Sequence, residues 1–225
     1  MKFIKKKSEP QDFKEWKKTI GEPGNKGEWV DLKNPEKDSL QSNLLNEQGY
    51  ICCYCGNRIE LQDSHIEHLK PQSKYHELRF EYRNLLASCN GGKRIRCSVH
   101  CGRKKDKWFD EDLFITPLNP SCSEFFRFSS EGEIKPSDNP DKQKPALETI
   151  SKLGLNHTIL IALRRNALNG IFDDFDSLSN EDLEKLIENY RNTDSKGKYE
   201  PFCAVIEYVL TQYISGSNSN NSTER

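Results

Sequence analysis

The stretch that constrains this chain most runs from Cys52-Cys53-Tyr54-Cys55-Gly56 through His65-Ile66-Glu67-His68 to Asn84, with Cys89, Cys97 and Cys101 just behind it. A C-x2-C pair on a tight turn offers two soft ligands of a metal tetrahedron without strain, and Cys52 and Cys55, closed by Gly56-Asn57, have that spacing. Cys53 is then the odd thiol between them, expected to pack. A second pair must come from further along: Cys89 with Cys101 or Cys97, with His100 able to replace a cysteine. Two cysteine groups without a βαβ context point to zinc rather than to a redox dithiol. Cys122 and Cys203 lie outside the cluster and read as buried free thiols.

That reading assumes a reducing compartment. The start, Met1-Lys2-Phe3-Ile4-Lys5-Lys6-Lys7, lacks the apolar block of a signal peptide, and no apolar run approaches the roughly 20 residues of a bilayer helix. A cytoplasmic location with no membrane partner is expected, where clustered thiols hold metal more often than they pair.

Lys and Arg number 34 against 35 Asp and Glu, so the net charge of −1 gives no global attraction to nucleic acid. Any phosphate-binding field must be local. Lys2 to Lys7 reads as a solvated face. Lys93, Arg94, Arg96, Arg103, Lys104, Lys105 and Lys107 adjoin the cysteines, where they can straddle a phosphate backbone.

The pattern implies an α+β chain, mainly α. Positions 1–48 read as an N-terminal helical segment: Phe13, Trp16 and Ile20 stripe one helix, and Leu40, Leu44 and Leu45 a second that Gly49 stops. Positions 49–125 form the cysteine-bearing core. Here a short β-prone run over Tyr50–Cys55, a second strand near Ser64–Leu69, a loop holding Tyr75, Phe80 and Tyr82, resumed order at Asn84, and a basic helix from Cys101 to Phe109 are expected. Positions 126–145 read as a small strand element and linker, and 146–214 as helical, with stripes at Leu147/Ile150/Leu153, Ile159/Leu160/Leu163/Leu168, Leu183/Leu186/Ile187 and Val205/Ile206/Val209/Leu210. Ser179 and Asp182 suit a capping box. Positions 215–225, rich in Ser and Asn, read as a disordered tail. Trp29 is expected as a core anchor.

Between the cysteine pairs, strand alternation puts His65 and Glu67 on one face and His68 on the other. Cys-x2-Cys-Gly, Glu67-His68-Leu69-Lys70-Pro71, Arg83-Asn84-Leu85-Leu86 leading to Cys89, and Cys101-Gly102-Arg103-Lys104-Lys105-Asp106 together resemble the HNH endonuclease pattern. More narrowly, His-Ile-Glu-His followed by Lys-Pro-Gln-Ser-Lys-Tyr, a Lys-rich start and a helical second half resemble the PtuB-type HNH subunit of Septu and retron-associated anti-phage systems. The resemblance implies a zinc-stapled ββα-metal core flanked by helices. It implies metal-dependent hydrolysis of phosphodiester bonds in DNA, with Mg²⁺ or Mn²⁺ held by Glu67, His68 as general base and Asn84 orienting the base loop. A PtuA-type ATPase partner, within a retron complex, is implied with it. One position departs: the family's last motif residue, a His or Asn after the final cysteine, is replaced by Gly102-Arg103-Lys104, which leaves His65, His100 or water to complete the metal shell. The residues also admit a non-catalytic zinc-ribbon adaptor that binds nucleic acid or protein.

Overall fold

The computed structural model describes residues 1–20, 27–92, 99–172 and 178–221; side chains beyond position 216 and that of residue 172 lie outside the description. So do Lys93, Arg94, Arg96 and Cys97. The architecture is mixed and mostly helical, with two small antiparallel sheets.

Helices α1 (Gln11–Ile20) and α2 (Glu36–Glu47) form where the apolar stripes predict them, burying Phe13 and Leu40, Leu44 and Leu45. Against α2 lies the central hairpin of β1 (Ser64–His68) and β2 (Leu85–Cys89), paired so that His65 faces Ser88 and Glu67 faces Leu86. Every residue of β2 is buried, the polar Ser88 included, as a strand covered on both faces should be. Tyr50–Cys55 differs from the expected strand: it makes a single bridge, Ile51 to Arg58, around a turn in which the Gly56 amide donates to the Cys52 carbonyl at 3.0 Å. Gly56 takes φ +76, which a glycine adopts without cost.

The basic helix is also shorter than expected. α3 spans Gly102–Lys105, and Asp106, at φ 47 and ψ −117, turns the chain out of it. Position 126 opens a second hairpin, β3 (Phe126–Phe128) with β4 (Ile134–Pro136), and α4 (Pro140–Leu153) begins at a proline in its first turn, so the expected linker holds strands and a helix start. Asn139 caps that helix through the Asp141 amide. The remaining stripes become α5 (Thr158–Phe172), α6 (Asn180–Arg191) and α7 (Cys203–Asn221); Ser179 and Asp182 form the capping box. The tail expectation is corrected over positions 215–221, which continue α7 as helix; positions 222–225 fall outside the described residues.

One apolar cluster runs from Met1 to Leu160 and a second joins Leu168, Leu183, Ile187, Phe202, Val205, Ile206 and Leu210. Arg164 ties them to the β3–β4 turn: fully buried, it donates through Nε to the Gly132 carbonyl (2.6 Å) and through Nη2 to that of Leu155 (2.8 Å). Burial pushes its pKa down to about 10. Removing it leaves two buried carbonyls unpaired, so Arg164→Ala is expected to cost about 3 kcal/mol, read as an earlier denaturant midpoint.

Candidate active site and metal centre

The hairpin, the Cys52–Cys55 turn and α3 converge on two adjacent groups of side chains. The first is sulfur. The Sγ atoms of Cys52, Cys55, Cys89 and Cys101 all lie within 4.8 Å of one another, and all four residues are buried. A tetrahedral ion with metal–sulfur bonds near 2.3 Å needs sulfurs about 3.8 Å apart; Cys55 and Cys89 are at 4.0 Å. The Cys89 amide points at Cys52 Sγ (3.4 Å), and the Cys101 amide is held by the Leu153 carbonyl at the end of α4 (2.7 Å).

The electrostatics fit a cation. Burial alone would raise the Cys52 thiol, yet hydrogen bonds from Cys101 and its other neighbours bring it well below its ordinary value. Burial and the bond to Cys52 drive Cys101 well above. Four buried sulfurs packed this closely favour a positive ion among them. Arg164 feels the negative charge of Cys55 and Cys101 and is placed to balance a four-thiolate centre. Cys53 is raised by burial and lies outside the set, and His100 Nδ1 packs on Cys101 Sγ (3.2 Å) and Cys89 Sγ (3.8 Å) without replacing either. Cys97, the other candidate, is outside the described residues.

The second group is oxygen and imidazole, beside a cleft of about 360 Å³ lined by His65, Glu67, His68, Gly102, Arg103 and others. His65 and Glu67 share one face of β1, with Nε2 to Oε2 at 3.4 Å. The other carboxylate oxygen, Oε1, is fixed by Lys105 Nζ (2.9 Å) and Tyr54 Oη (3.2 Å). Burial would raise Glu67, but the His65 hydrogen bond and the Lys105 ammonium hold it below the usual carboxylate value. Glu67 is thus an anion with one oxygen locked and the other beside an imidazole.

On the opposite face His68 Nε2 lies 3.0 Å from the Arg79 carbonyl. A carbonyl only accepts, so Nε2 carries the proton and the neutral ring keeps its lone pair on Nδ1. Burial lowers the His68 pKa, and the Trp29 ring stands edge-on at 4.4 Å. Asn84 fixes the same loop: its Oδ1 accepts from the Lys70 amide (2.7 Å), and its Nδ2 donates to the carbonyls of Lys70 (3.0 Å) and Leu78 (3.1 Å), one residue before Arg79.

The basic residues divide. Arg103 is exposed on the cleft and Lys104 is exposed over Gly154, whereas Lys105 is fully buried between Glu67 and the His68 carbonyl (2.9 Å) and cannot reach a phosphate backbone. The expectation for Lys105 is thereby corrected. Of three consecutive basic residues on one helical turn only one can face inward, and the sequence did not say which. Gly102 explains the departure from the motif: a Cβ there would lie 2.4 Å from Glu67 Oε2 and 2.9 Å from His65 Nε2, so the carboxylate and imidazole occupy the space a longer side chain would need. Tyr54 and the Arg79 carbonyl were not singled out from sequence. Position between two ligand cysteines was the available signal for Tyr54; for a backbone carbonyl there was none.

The likeness read from the motifs, to an HNH endonuclease in a retron-associated context, is supported by a curated relative. The chain is 34% identical over 125 residues to a protein of Vibrio cholerae serotype O1 biovar El Tor named "Retron Vc95 putative HNH endonuclease"; the match covers 53% of this chain and 58% of that protein. No family model matches the chain. No helix among the described residues is long and apolar enough to cross a membrane.

Proposed function

We propose that the chain is a metal-dependent HNH endonuclease that hydrolyses phosphodiester bonds in DNA, acting as the nuclease subunit of an anti-phage defence complex with a PtuA-type ATPase. The observation that carries this reading is the His68 geometry: a neutral imidazole whose Nε2 is committed to the Arg79 carbonyl, next in sequence to an ionised Glu67, at an open cleft. The order β1, β2, α3 matches a ββα unit, and the relative's name supports the same class.

In this account zinc occupies the four-cysteine centre and holds α3 and the Cys52–Cys55 turn against the hairpin. Glu67 Oε2 and His65 Nε2 are the residues that would hold the Mg²⁺ or Mn²⁺ ion, which supplies charge neutralisation at the phosphoryl group and leaving oxygen. His65 thereby fills the shell that the motif left open, and His100 does not. His68 Nδ1 accepts a proton from the attacking water. Asn84 keeps the loop from Lys70 to Arg79 in register, so that the carbonyl holding His68 stays in place. Arg103 meets the phosphate backbone at the cleft rim.

Incubation of supercoiled plasmid with the zinc-loaded protein and the ATPase, in Mg²⁺ or Mn²⁺, tests the reading. Nicking or linearisation is expected, lost in Glu67→Ala and retained in His100→Ala. A wild-type protein inert in every combination would sink the catalytic assignment.

A further inference from the structure

The basic run at the start of the chain takes no part in the site just described, and the structure does not fan it into solvent. Residues 2–8 form a strap, outside any helix or strand, along a cleft of about 810 Å³ whose other walls are Asn46 to Gly49 at the end of α2, Ile51 to Cys53, and Thr193, Gly197 and Tyr199. The strap is anchored at Met1, Ile4 and Lys6. Met1 and Ile4 are buried, the Ile4 amide donates to the Pro117 carbonyl at 2.8 Å, and Lys6 donates to the Leu85 carbonyl at 3.0 Å and pairs with Glu47. Phe3, Lys5 and Lys7 are left exposed in a row.

The charge is one-sided: Lys2, Lys5, Lys6 and Lys7 line the cleft against one carboxylate, Glu47. Lys2 is spent on the Tyr199 ring and Lys6 on Glu47, which leaves Lys5 and Lys7 as the unspent cations. Phe3, 39% exposed, stands beside them with its ring open to solvent. Cations in a groove joined to an exposed aromatic platform are what binds a single strand, whose unpaired bases present their faces for stacking; a duplex hides them.

We propose that this strap is a binding track for single-stranded nucleic acid, separate from the cleft that holds His68. Lys5 and Lys7 contact successive phosphates and Phe3 stacks on a base, without sequence preference.

The test is fluorescence anisotropy on the full chain carrying His68→Ala, so that a probe is not cut, with labelled dT20, rU20 and a 20-bp duplex. Lys5→Glu/Lys7→Glu is expected to weaken dT20 binding at least ten-fold and to flatten the log K against log salt slope by about 1.4, two single-strand phosphate contacts at about 0.7 each. Phe3→Ala is expected to weaken it five-fold or more, as loss of one stacked base does. Lys135→Glu/Lys144→Glu, the same charge change on exposed lysines of β4 and α4, should change binding less than two-fold. Tighter binding of dT20 than of rU20, or the reverse, identifies which kind of strand the track takes. Equal loss in the control pair, wild-type affinity in Lys5→Glu/Lys7→Glu, or a duplex bound more tightly than dT20 would each overturn the proposal. Binding is read without cutting, so a protein that binds through the strap yet never cuts would refute only the nuclease reading.

Discussion

Cys101→Ser is expected to release the cysteine-bound metal and to lower the melting temperature by about 10 °C or more. Thiolate is the soft ligand zinc prefers, and a serine hydroxyl does not replace it at neutral pH. Metal binding at a structural four-cysteine site is worth on the order of 10 kcal/mol of folding free energy, and a chain this long loses about 2–4 °C per kcal/mol. The position amplifies the loss. Cys101 sits at φ 55, an uncommon backbone for a side-chain-bearing residue, between the Leu153 carbonyl and the start of α3. Once the sulfur bond goes, the turn rests on that hydrogen bond and on the Gly102 amide donating to Ser88 Oγ (3.2 Å), and the hold of Lys105 on Glu67 loosens with it. Cys53→Ser is the contrast: Cys53 packs beside Cys52 but lies outside the four-sulfur set, and the change places a hydroxyl in a buried site. It is expected to cost about 1–3 kcal/mol and no metal. Elemental analysis beside thermal melts of the two variants reads the difference. Full metal content and a wild-type melt in Cys101→Ser would contradict the assignment.

His68→Ala has the larger effect on function. Loss of a general base typically costs 10²–10⁴ in rate, and that fall in plasmid cutting is expected here at unchanged zinc content. The structural cost is separate and smaller: the ring packs on Trp29 and holds one loop carbonyl, so about 1–3 kcal/mol of stability is expected to go with it. Added imidazole should restore part of the rate, because the truncation leaves a space beside an open cleft shaped for that ring. A protein whose only deficit is instability would gain nothing from imidazole.

The helices were largely legible because apolar periodicity is local. Leu40, Leu44 and Leu45 on α2 and the stripes of α4 to α7 all mark real helices, and Ser179 with Asp182 marks a real cap. Strand alternation also placed His65 and Glu67 together and His68 apart. What escaped depends on contacts between distant segments. Lys105 reads as one more surface cation until the buried Glu67 carboxylate, far away in sequence, claims it. The Cys101–Phe109 helix fits its sequence, but the chain turns out of it at Asp106 after one turn, which no local pattern marks. The Lys2–Lys7 run reads as a solvated face, which holds for Lys5 and Lys7 but not for Lys6, claimed by Glu47 and the Leu85 carbonyl, or for Lys2, over the Tyr199 ring. The choice among Cys97, His100 and Cys101 as ligand was a matter of geometry that spacing alone left open; the described residues bring Cys101 in and leave His100 beside the set.

The central claim is that His68 takes the proton from the attacking water in a phosphodiester hydrolysis. The most direct measurement is the initial rate of supercoiled-plasmid nicking by wild type and His68→Ala, matched for zinc content and fold, with Mn²⁺ and the ATPase present. The account predicts a wild-type rate at least a hundred-fold above the variant's. Equal rates, or no cutting by either, would contradict it and leave the zinc-ribbon adaptor as the reading of this chain.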